Sequence, residues 1–208
     1  MVFHQHQAIH VHVPKTGGQS IRLLLEPGEK NVEAFDCRGR GLGEKATHLF
    51  ASEMRDSDRQ GVWGGYFSFA IVRNPWDRVV SEYLWRKRRS HIRVSFETFE
   101  AFVQGLTTGW DYEMDDYRHV VAQSQFLCDE RGEVMVDFVG RFENLERDVD
   151  EVRKRLNVTA GDLPKFNISA KRGHYSGYFT EETREIIARL YADDIELFGY
   201  RFEESEAE

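Results

Sequence analysis

Residues 8–25 read AIHVHVPKTGGQSIRLLL, and this stretch decides the fold class that we expect. An apolar run typical of a β-strand leads through a turn with two glycines into a run typical of a helix. This arrangement presents backbone N–H groups and the positive end of a helix dipole to an anion. Lys15 adds a charge, and Thr16 and Ser20 add hydroxyl groups. The stretch therefore predicts a loop that binds phosphate or sulfate.

The same loop allows a second interpretation, because Pro and Gly also mark ordinary surface turns. It also departs from the common nucleoside-triphosphate signature, in which Lys follows a second Gly and precedes Ser or Thr. Here Lys15 comes before both glycines. The loop by itself favours neither an anion site nor a plain turn.

A second motif, FSFAIVRNPWDRVVSEY at residues 67–83, changes this balance. Its apolar first part predicts a buried strand of a parallel sheet over residues 66–72. The Asn-Pro pair that follows fits the N-cap and first position of a helix. Arg73 then stands at the carboxyl end of a strand, where open α/β sheets bind ligands, and we expect it on the same side as Lys15. Ser81 follows about two turns into the helix.

The two motifs together resemble the nucleotide signatures of sulfotransferases that use 3′-phosphoadenosine 5′-phosphosulfate (PAPS). The resemblance is strongest to the carbohydrate branch, which includes the heparan and chondroitin 2-O-sulfotransferases and short bacterial relatives. In that family the first loop cradles the 5′-phosphosulfate, and the later Arg and Ser hold the 3′-phosphate. The resemblance implies a 5′ site made of Pro14, Lys15, Thr16, Gly17, Gly18, Gln19 and Ser20, and a 3′ site made of Arg73 and Ser81.

A late basic segment, Lys171-Arg172, has two interpretations. Related enzymes close such a loop over the nucleotide, which implies contacts of Lys171 and Arg172 with the 3′-phosphate. Charged runs are also commonly solvated surface loops. Both interpretations stay open at the level of the sequence.

Sulfuryl transfer needs in-line positioning, stabilisation of charge on the leaving oxygen, and a base for the acceptor hydroxyl. Lys15 is the expected partner of the bridging oxygen. His48 is the first candidate base, since the 2-O branch has a catalytic His in this interval, although this chain lacks the fuller His-Gly-His pattern. Glu53 is the second candidate, because other sulfotransferases use a carboxylate. His119 and His174 rank below them, and a His48 that only packs is the alternative.

The resemblance implies PAPS as the co-substrate and a hydroxyl of a carbohydrate or small metabolite as the acceptor. We expect no metal, because sulfate carries less charge than phosphate and Lys15 suffices. His10 and His12 alternate along a strand without an identifiable third ligand. We expect the choice of acceptor to depend on residues 86–117, where the sequence shows no recognisable chemical constellation.

The composition of the chain limits the classes of protein to which it can belong. The chain has 208 residues and 40% hydrophobic residues, with 15 Phe and 8 Tyr, which predicts one folded domain over residues 1–208. A net charge of −8 disfavours a general nucleic-acid binder. No apolar run approaches the length of a membrane span, and the first residues lack the apolar core of a signal peptide. Two cysteines make no disulfide framework, so we expect a cytoplasmic location, or the Golgi lumen for an excised domain.

The alternation of strands and helices predicts an α/β fold, a three-layer P-loop-like architecture with a central, mainly parallel sheet flanked by helices. The expected strands cover residues 8–13, 31–36, 66–72 and 134–138. The expected helices cover residues 21–25, 51–59, 96–103, 145–156 and 180–191, the last with Thr180 as its N-cap, and a further long helix begins near residue 75. A loop is expected over residues 105–116. Two other functions remain open: a P-loop nucleotide kinase and a noncatalytic nucleotide-binding module.

Overall fold

The computed structural model describes residues 1–26, 32–33, 48–88, 96–108, 117–159, 161–164 and 173–204. The chain divides into two compact units, the first formed by Met1–Val72 and Gln123–Phe166 and the second by Arg73–Ala122 and Asn167–Glu208. Each unit has its own cluster of buried hydrophobic residues. The single domain expected from composition stays a prediction.

The first unit contains a five-stranded mixed sheet. Its strands are β1 (Val2–Phe3), β2 (Ala8–His10), β3 (Val32–Glu33), β4 (Phe67–Val72) and β5 (Phe138–Arg141), in the order β3-β1-β2-β4-β5. β4 pairs parallel with β2 on one side and with β5 on the other, whereas β1 pairs antiparallel with both of its neighbours. The register sets His10 opposite Phe69 and Ile71 opposite Gly140.

The helices are α1 (Gly18–Leu25), α2 (Ala51–Asp56), α3 (Pro75–Lys87), α4 (Phe99–Thr108), α5 (Gln123–Leu127), α6 (Leu145–Arg155), α7 (Glu181–Leu190) and α8 (Ala192–Phe198). In the first unit, α1 and α6 bury apolar residues such as Ile21 and Val149 in one cluster with Phe69 and Ile71 of the sheet. Ile9 and Ala70, on the opposite face, have no exposed surface. The predicted α/β fold, with a sheet flanked by helices, is confirmed.

The second unit is built around α3, which starts as the sequence predicts. The Asn74 side chain accepts a hydrogen bond from the Trp76 backbone N–H at 3.1 Å, and Pro75 takes the first helical position. Trp76 packs in an aromatic core with residues of α3, α4 and α7, and its indole N–H donates to the Arg184 carbonyl at 3.0 Å. At α7, the Thr180 side chain caps the helix by accepting from Thr183 N–H, also as predicted.

Other boundaries differ from the predictions. α4 runs to Thr108, so the loop expected over residues 105–116 is wrong for its first four residues, and the rest of that range lies outside the described residues. The strand expected at 134–138 begins only at Phe138, because Val134 makes an isolated bridge with Cys128 instead of joining the sheet. The two-residue strand β1 and the short helix α5 were not predicted, since such short elements carry no measurable hydrophobic period. Within the described ranges, no helix is long and apolar enough to cross a membrane.

Candidate functional site

The loop between β2 and α1 has an unusual backbone. Lys15 has φ of +71° and Gly17 has φ of +86°, both in the left-handed region, with Thr16 between them. A backbone whose handedness alternates in this way turns successive N–H groups toward a common point, which suits an anion. The Thr16 hydroxyl donates to the Val13 carbonyl at 2.9 Å, so this side chain holds the turn together. The predicted anion loop therefore has a geometry that fits a phosphate or sulfate group.

α1 begins directly after this loop, at Gly18. The N–H groups of Ser20 and Ile21 donate to the Gly17 carbonyl at 2.9 and 3.2 Å, so they close the first helical turn. Gly18 and Gln19 precede these donors in the chain, so their N–H groups lie at the positive end of the helix dipole. The Gln19 side chain accepts from Arg22 Nε at 3.1 Å and therefore lies along the helix.

Gly18 touches the ring of His12. A Cβ built on Gly18 would lie 2.1 Å from both Cδ2 and Nε2 of His12, closer than any side chain tolerates. His12 itself is buried, with 5% of its surface exposed. The position after the loop must therefore be glycine as long as the His12 ring occupies that space.

His48 joins this group from 36 residues away in the chain. Its Nδ1 lies 3.1 Å from the His12 carbonyl oxygen, and its ring centroid is 4.5 Å from that of His12. A carbonyl oxygen only accepts, so Nδ1 carries the hydrogen and Nε2 carries the lone pair of the neutral ring. The structure thus places a candidate proton acceptor one ring away from the first residue of α1.

His10 continues the row of imidazoles into the core. Its ring lies 5.5 Å from the His12 ring and stacks on Phe69 at 4.7 Å with an interplanar angle of 3°. It is fully buried, and neither ring nitrogen has a hydrogen-bond partner among the residues that the structure describes. Burial lowers the pKa of His10 well below its ordinary value, so this ring is neutral at pH 7.

The sequence predicts His10 and His12 only as strand residues and does not predict that their rings lie in a row with the ring of His48. A signal was available, because residues two apart in an extended strand point to the same face. In the part of the chain that the structure describes, no group of three or more His, Cys, Asp or Glu is placed to hold a metal ion.

Glu53, the second candidate base, lies in the first turn of α2. Its Oε2 accepts a hydrogen bond from the Phe50 backbone N–H at 2.8 Å. This contact is one half of a capping box, in which the third residue of a helix reaches back to satisfy the N-cap. The structure therefore gives Glu53 a clear role at the start of α2, and a role in proton transfer stays a prediction.

The predicted 3′-phosphate residues lie in the second unit. Arg73 is 6% exposed, and its Nε and Nη2 donate to Asp77 Oδ2 at 2.9 and 2.7 Å. Ser81 is 7% exposed and lies on α3. Asp77 therefore fixes the direction of the Arg73 guanidinium. Lys171 and Arg172 lie outside the described residues.

The two lower-ranked histidines also lie in the second unit. His174 is exposed, and its Nδ1 accepts from the Ser176 N–H at 3.3 Å, so it caps a short 3₁₀ helix at Tyr175–Tyr178. His119 Nδ1 lies 3.0 Å from Glu82 Oε2. Of the two, His119 has the partner that a functional imidazole commonly has, a buried carboxylate.

Known proteins give an independent comparison. The sequence model of the Sulfotransferase family matches residues 1–201. Human carbohydrate sulfotransferase 10 is 23% identical over 235 aligned positions, which cover 95% of this chain and 65% of that protein. The zebrafish (Danio rerio) carbohydrate sulfotransferase 10 is 22% identical and covers 94% of this chain and 64% of its own length. An uncharacterized protein of Archaeoglobus fulgidus is 33% identical over 107 residues, which is 50% of this chain and 79% of that protein.

The chain thus spans slightly less than two thirds of the length of these carbohydrate sulfotransferases. No solved structure gives a significant match. The match over residues 1–201 includes the loop at Lys15, the candidate base His48 and the Arg73 motif.

Proposed function

The chain belongs to the Sulfotransferase family, and we propose that it transfers the sulfuryl group of PAPS to a hydroxyl of a carbohydrate or a small metabolite. Family membership supports a transferase. The named donor, the acceptor class and an in-line reaction are parts of the proposal. Similarity to carbohydrate sulfotransferases favours a sugar hydroxyl over other acceptors.

One observation carries the proposal: His12 contacts both the N-terminus of α1 and the imidazole of His48. The His12 ring packs against Gly18, the first residue of α1, and the His12 carbonyl oxygen accepts a hydrogen bond from Nδ1 of His48. The reaction needs an anion site and a proton acceptor within reach of one substrate. In the first unit, the start of α1 and His48 are the candidates for these two roles, and their link through His12 supports the proposal.

In the proposed complex, Lys15, the backbone N–H groups of residues 17–19 and the Ser20 hydroxyl bind the 5′-phosphosulfate. Arg73 and Ser81 bind the 3′-phosphate, and Lys171 and Arg172 approach the same phosphate. Arg is suited to this task because its planar fork makes paired hydrogen bonds to phosphate oxygens. PAPS carries a 3′-phosphate that ATP lacks, so the site that binds this phosphate determines the specificity for the donor.

In the proposed reaction, an oxygen of the acceptor forms a bond to sulfur while the bond between sulfur and the bridging oxygen breaks. The electron pair of the broken bond goes to the phosphate, which leaves 3′-phosphoadenosine 5′-phosphate (PAP). Lys15 stabilises the charge that develops on the bridging oxygen. The proton of the acceptor hydroxyl passes to Nε2 of His48, which becomes an imidazolium held by the His12 carbonyl.

Calorimetry with PAP and with ATP and Mg²⁺, together with transfer of ³⁵S from labelled PAPS, tests the proposal. The acceptor panel contains heparosan and chondroitin hexasaccharides, octyl glucoside and 4-nitrophenol. We expect PAP to bind and at least one acceptor to be labelled. Binding of ATP with Mg²⁺ but not PAP would instead identify a nucleotide kinase. PAP binding without labelling across the panel would favour a noncatalytic nucleotide-binding module.

A further inference from the structure

A short segment that follows α8, residues 201–203, contacts the start of α3 within the second unit. The Arg201 carbonyl accepts a hydrogen bond from Nδ2 of Asn74 at 2.9 Å. The Glu203 N–H donates to the hydroxyl of Tyr175 at 2.7 Å, and Nδ2 of Asn74 also donates to that hydroxyl, at 3.4 Å. Asn74, Tyr175 and residues 201–203 thus form one hydrogen-bonded group, which we call the Tyr175 cluster.

Phe202 holds the segment in place through its ring. The centroid of this ring lies 5.5 Å from those of Trp76 and Tyr175 and 5.6 Å from that of Phe179, with the rings edge to face in all three pairs. Edge-to-face pairs attract each other beyond the effect of the area that they bury. The match to the Sulfotransferase family ends at residue 201, so Phe202 lies outside it.

Asn74 links the Tyr175 cluster to the predicted 3′-phosphate site, because it follows Arg73 directly in the chain. Its Oδ1 accepts from the Trp76 N–H and caps α3, while its Nδ2 makes the contacts of the cluster. The Arg73 side chain donates from Nε and Nη2 to Asp77, in the first turn of the same helix. The direction of the Arg73 guanidinium therefore depends on the start of α3, which the cluster holds.

The pKa of Tyr175 indicates that its phenol lies near the same ion pair. Burial raises the pKa of Tyr175 to about 12, and the negative charges of Glu203 and Asp77 act in the same direction. Asp77 is the carboxylate that holds Arg73, so the phenol lies within electrostatic range of that pair. At pH 7 the hydroxyl is neutral and adds no negative charge beside a group that binds phosphate.

Stability is the other role that such a cluster can have. A buried hydrogen bond contributes to folding wherever it lies in the core, and its loss would then leave the binding of a nucleotide unchanged. An arginine that binds phosphate has a stricter requirement, since paired hydrogen bonds form only when the guanidinium is held within about 0.5 Å of its place. The two roles therefore predict different results for nucleotide binding.

We propose that Tyr175 and residues 201–203 are positioning residues for recognition of the 3′-phosphate of the nucleotide. They hold Asn74, Asn74 fixes the start of α3, and the helix directs the Arg73 guanidinium toward the phosphate. This inference rests on the proposed function and adds to it the residues that support the preference for a 3′-phosphorylated nucleotide. All of these residues belong to the second unit.

Tyr175→Phe removes the hydroxyl and keeps the ring contacts. Because AMP lacks the 3′-phosphate of PAP, the Kd for AMP divided by the Kd for PAP measures the contribution of that phosphate. We expect this ratio to fall about three- to tenfold in Tyr175→Phe, with the Kd for AMP within about twofold of wild type. Asn74→Ser keeps a cap for α3 but loses the amide donor, so it should lower the ratio similarly. Calorimetry measures each Kd.

Tyr191→Phe is the matched control for the loss of a buried hydroxyl. The Tyr191 hydroxyl donates to the Val120 carbonyl at 2.6 Å, and its ring belongs to the same aromatic core as that of Tyr175. Both Tyr→Phe variants should lower the Tm by about 2–4 °C, whereas only Tyr175→Phe should change the ratio. A wild-type ratio in Tyr175→Phe together with a lowered Tm would identify a structural role and overturn the inference.

The Arg73→Ala background tests whether Tyr175 acts through Arg73. In that background Tyr175→Phe should leave the ratio unchanged, since the guanidinium that it positions is absent. A further fall of the same size as in wild type would contradict the inference. A wild-type protein that binds PAP no better than AMP refutes the 3′-phosphate site of the proposed function, and this inference with it. A wild-type preference for PAP that Tyr175→Phe retains in full refutes this inference alone.

Discussion

His12 occupies the space in which a side chain at Gly18 would stand. A Cβ at position 18 would lie 2.1 Å from two atoms of the His12 ring, and that ring lies 4.5 Å from the ring of His48. The start of α1 and the candidate base are therefore mechanically linked. A side chain at position 18 has to displace the His12 ring, and this relationship gives the first prediction.

Gly18→Ala should weaken binding of PAP at least tenfold and lower the free energy of unfolding by about 1–3 kcal/mol, because the added methyl group overpacks the His12 ring. In the double variant with His12→Ala the methyl group has space, so the two losses of stability should not add. Calorimetry and urea unfolding measure the two effects. Gly64→Ala is the matched control, since no described atom lies within 4 Å of that Cβ position. Additive losses in the double variant would contradict the contact.

Lys15→Gly should separate stability from activity. Lys15 has φ of +71°, a conformation that costs a residue with a side chain about 1 kcal/mol and that glycine adopts readily. We therefore expect a slightly more stable protein, with its Tm raised by about 2–4 °C. The same variant should lose at least about 100-fold in kcat, because no cation remains for the leaving oxygen. Lys154→Ala removes an exposed charge from α6 and should change neither quantity.

His48→Ala and Glu53→Gln distinguish the two candidate bases. We expect His48→Ala to lower kcat by about 10² to 10⁴ with an unchanged Kd for PAP, since a general base contributes to the transfer step. Gln at position 53 can still accept from the Phe50 N–H, so α2 keeps its cap and activity should persist. Initial rates of ³⁵S transfer decide between them. Loss of activity only in Glu53→Gln would assign the base to Glu53.

The 3′-phosphate assignment predicts a change in nucleotide preference. The wild-type protein should bind PAP more tightly than AMP, which lacks the 3′-phosphate. Arg73→Ala should weaken PAP binding by about 10- to 100-fold with little effect on AMP, and Ser81→Ala should have a smaller effect in the same direction. Asp77→Asn should lie between wild type and Arg73→Ala, because Asp77 orients the guanidinium. Equal losses for PAP and AMP would argue against a 3′ site.

His10→Phe should remove part of the sensitivity to acid. The pKa of His10 is lowered by burial, so the unfolded chain binds a proton at higher pH than the folded one. The stability that neutral His10 contributes is fully present above its ordinary pKa of 6.5. Below that pH the free energy of unfolding falls by about 1.4 kcal/mol per pH unit, until the pH reaches the pKa of His10 in the folded protein. Urea unfolding at pH 7 and pH 5 should show a smaller difference in His10→Phe than in wild type. Equal differences would mean that folding does not lower the pKa of His10.

Local sequence was sufficient for much of the fold. The caps of α3 and α7 are correct because Asn74 and Thr180 act on backbone groups two or three residues away. The buried strand β4 is correct because six consecutive residues carry its pattern. β1 has two residues, too few for any pattern, and its place between β3 and β2 depends on the finished sheet.

The sequence by itself determined the strand–turn–helix unit of β2 and α1, the strand–helix unit of β4 and α3, and the family, since each depends on neighbouring residues. Only the tertiary structure decided which side chains meet. His48 lies 36 residues from the His12 carbonyl that orients it, and His119 lies 37 residues from Glu82. No local preference of the backbone encodes such contacts. They form when apolar burial brings distant segments together, and the buried polar groups must then find partners in that packing.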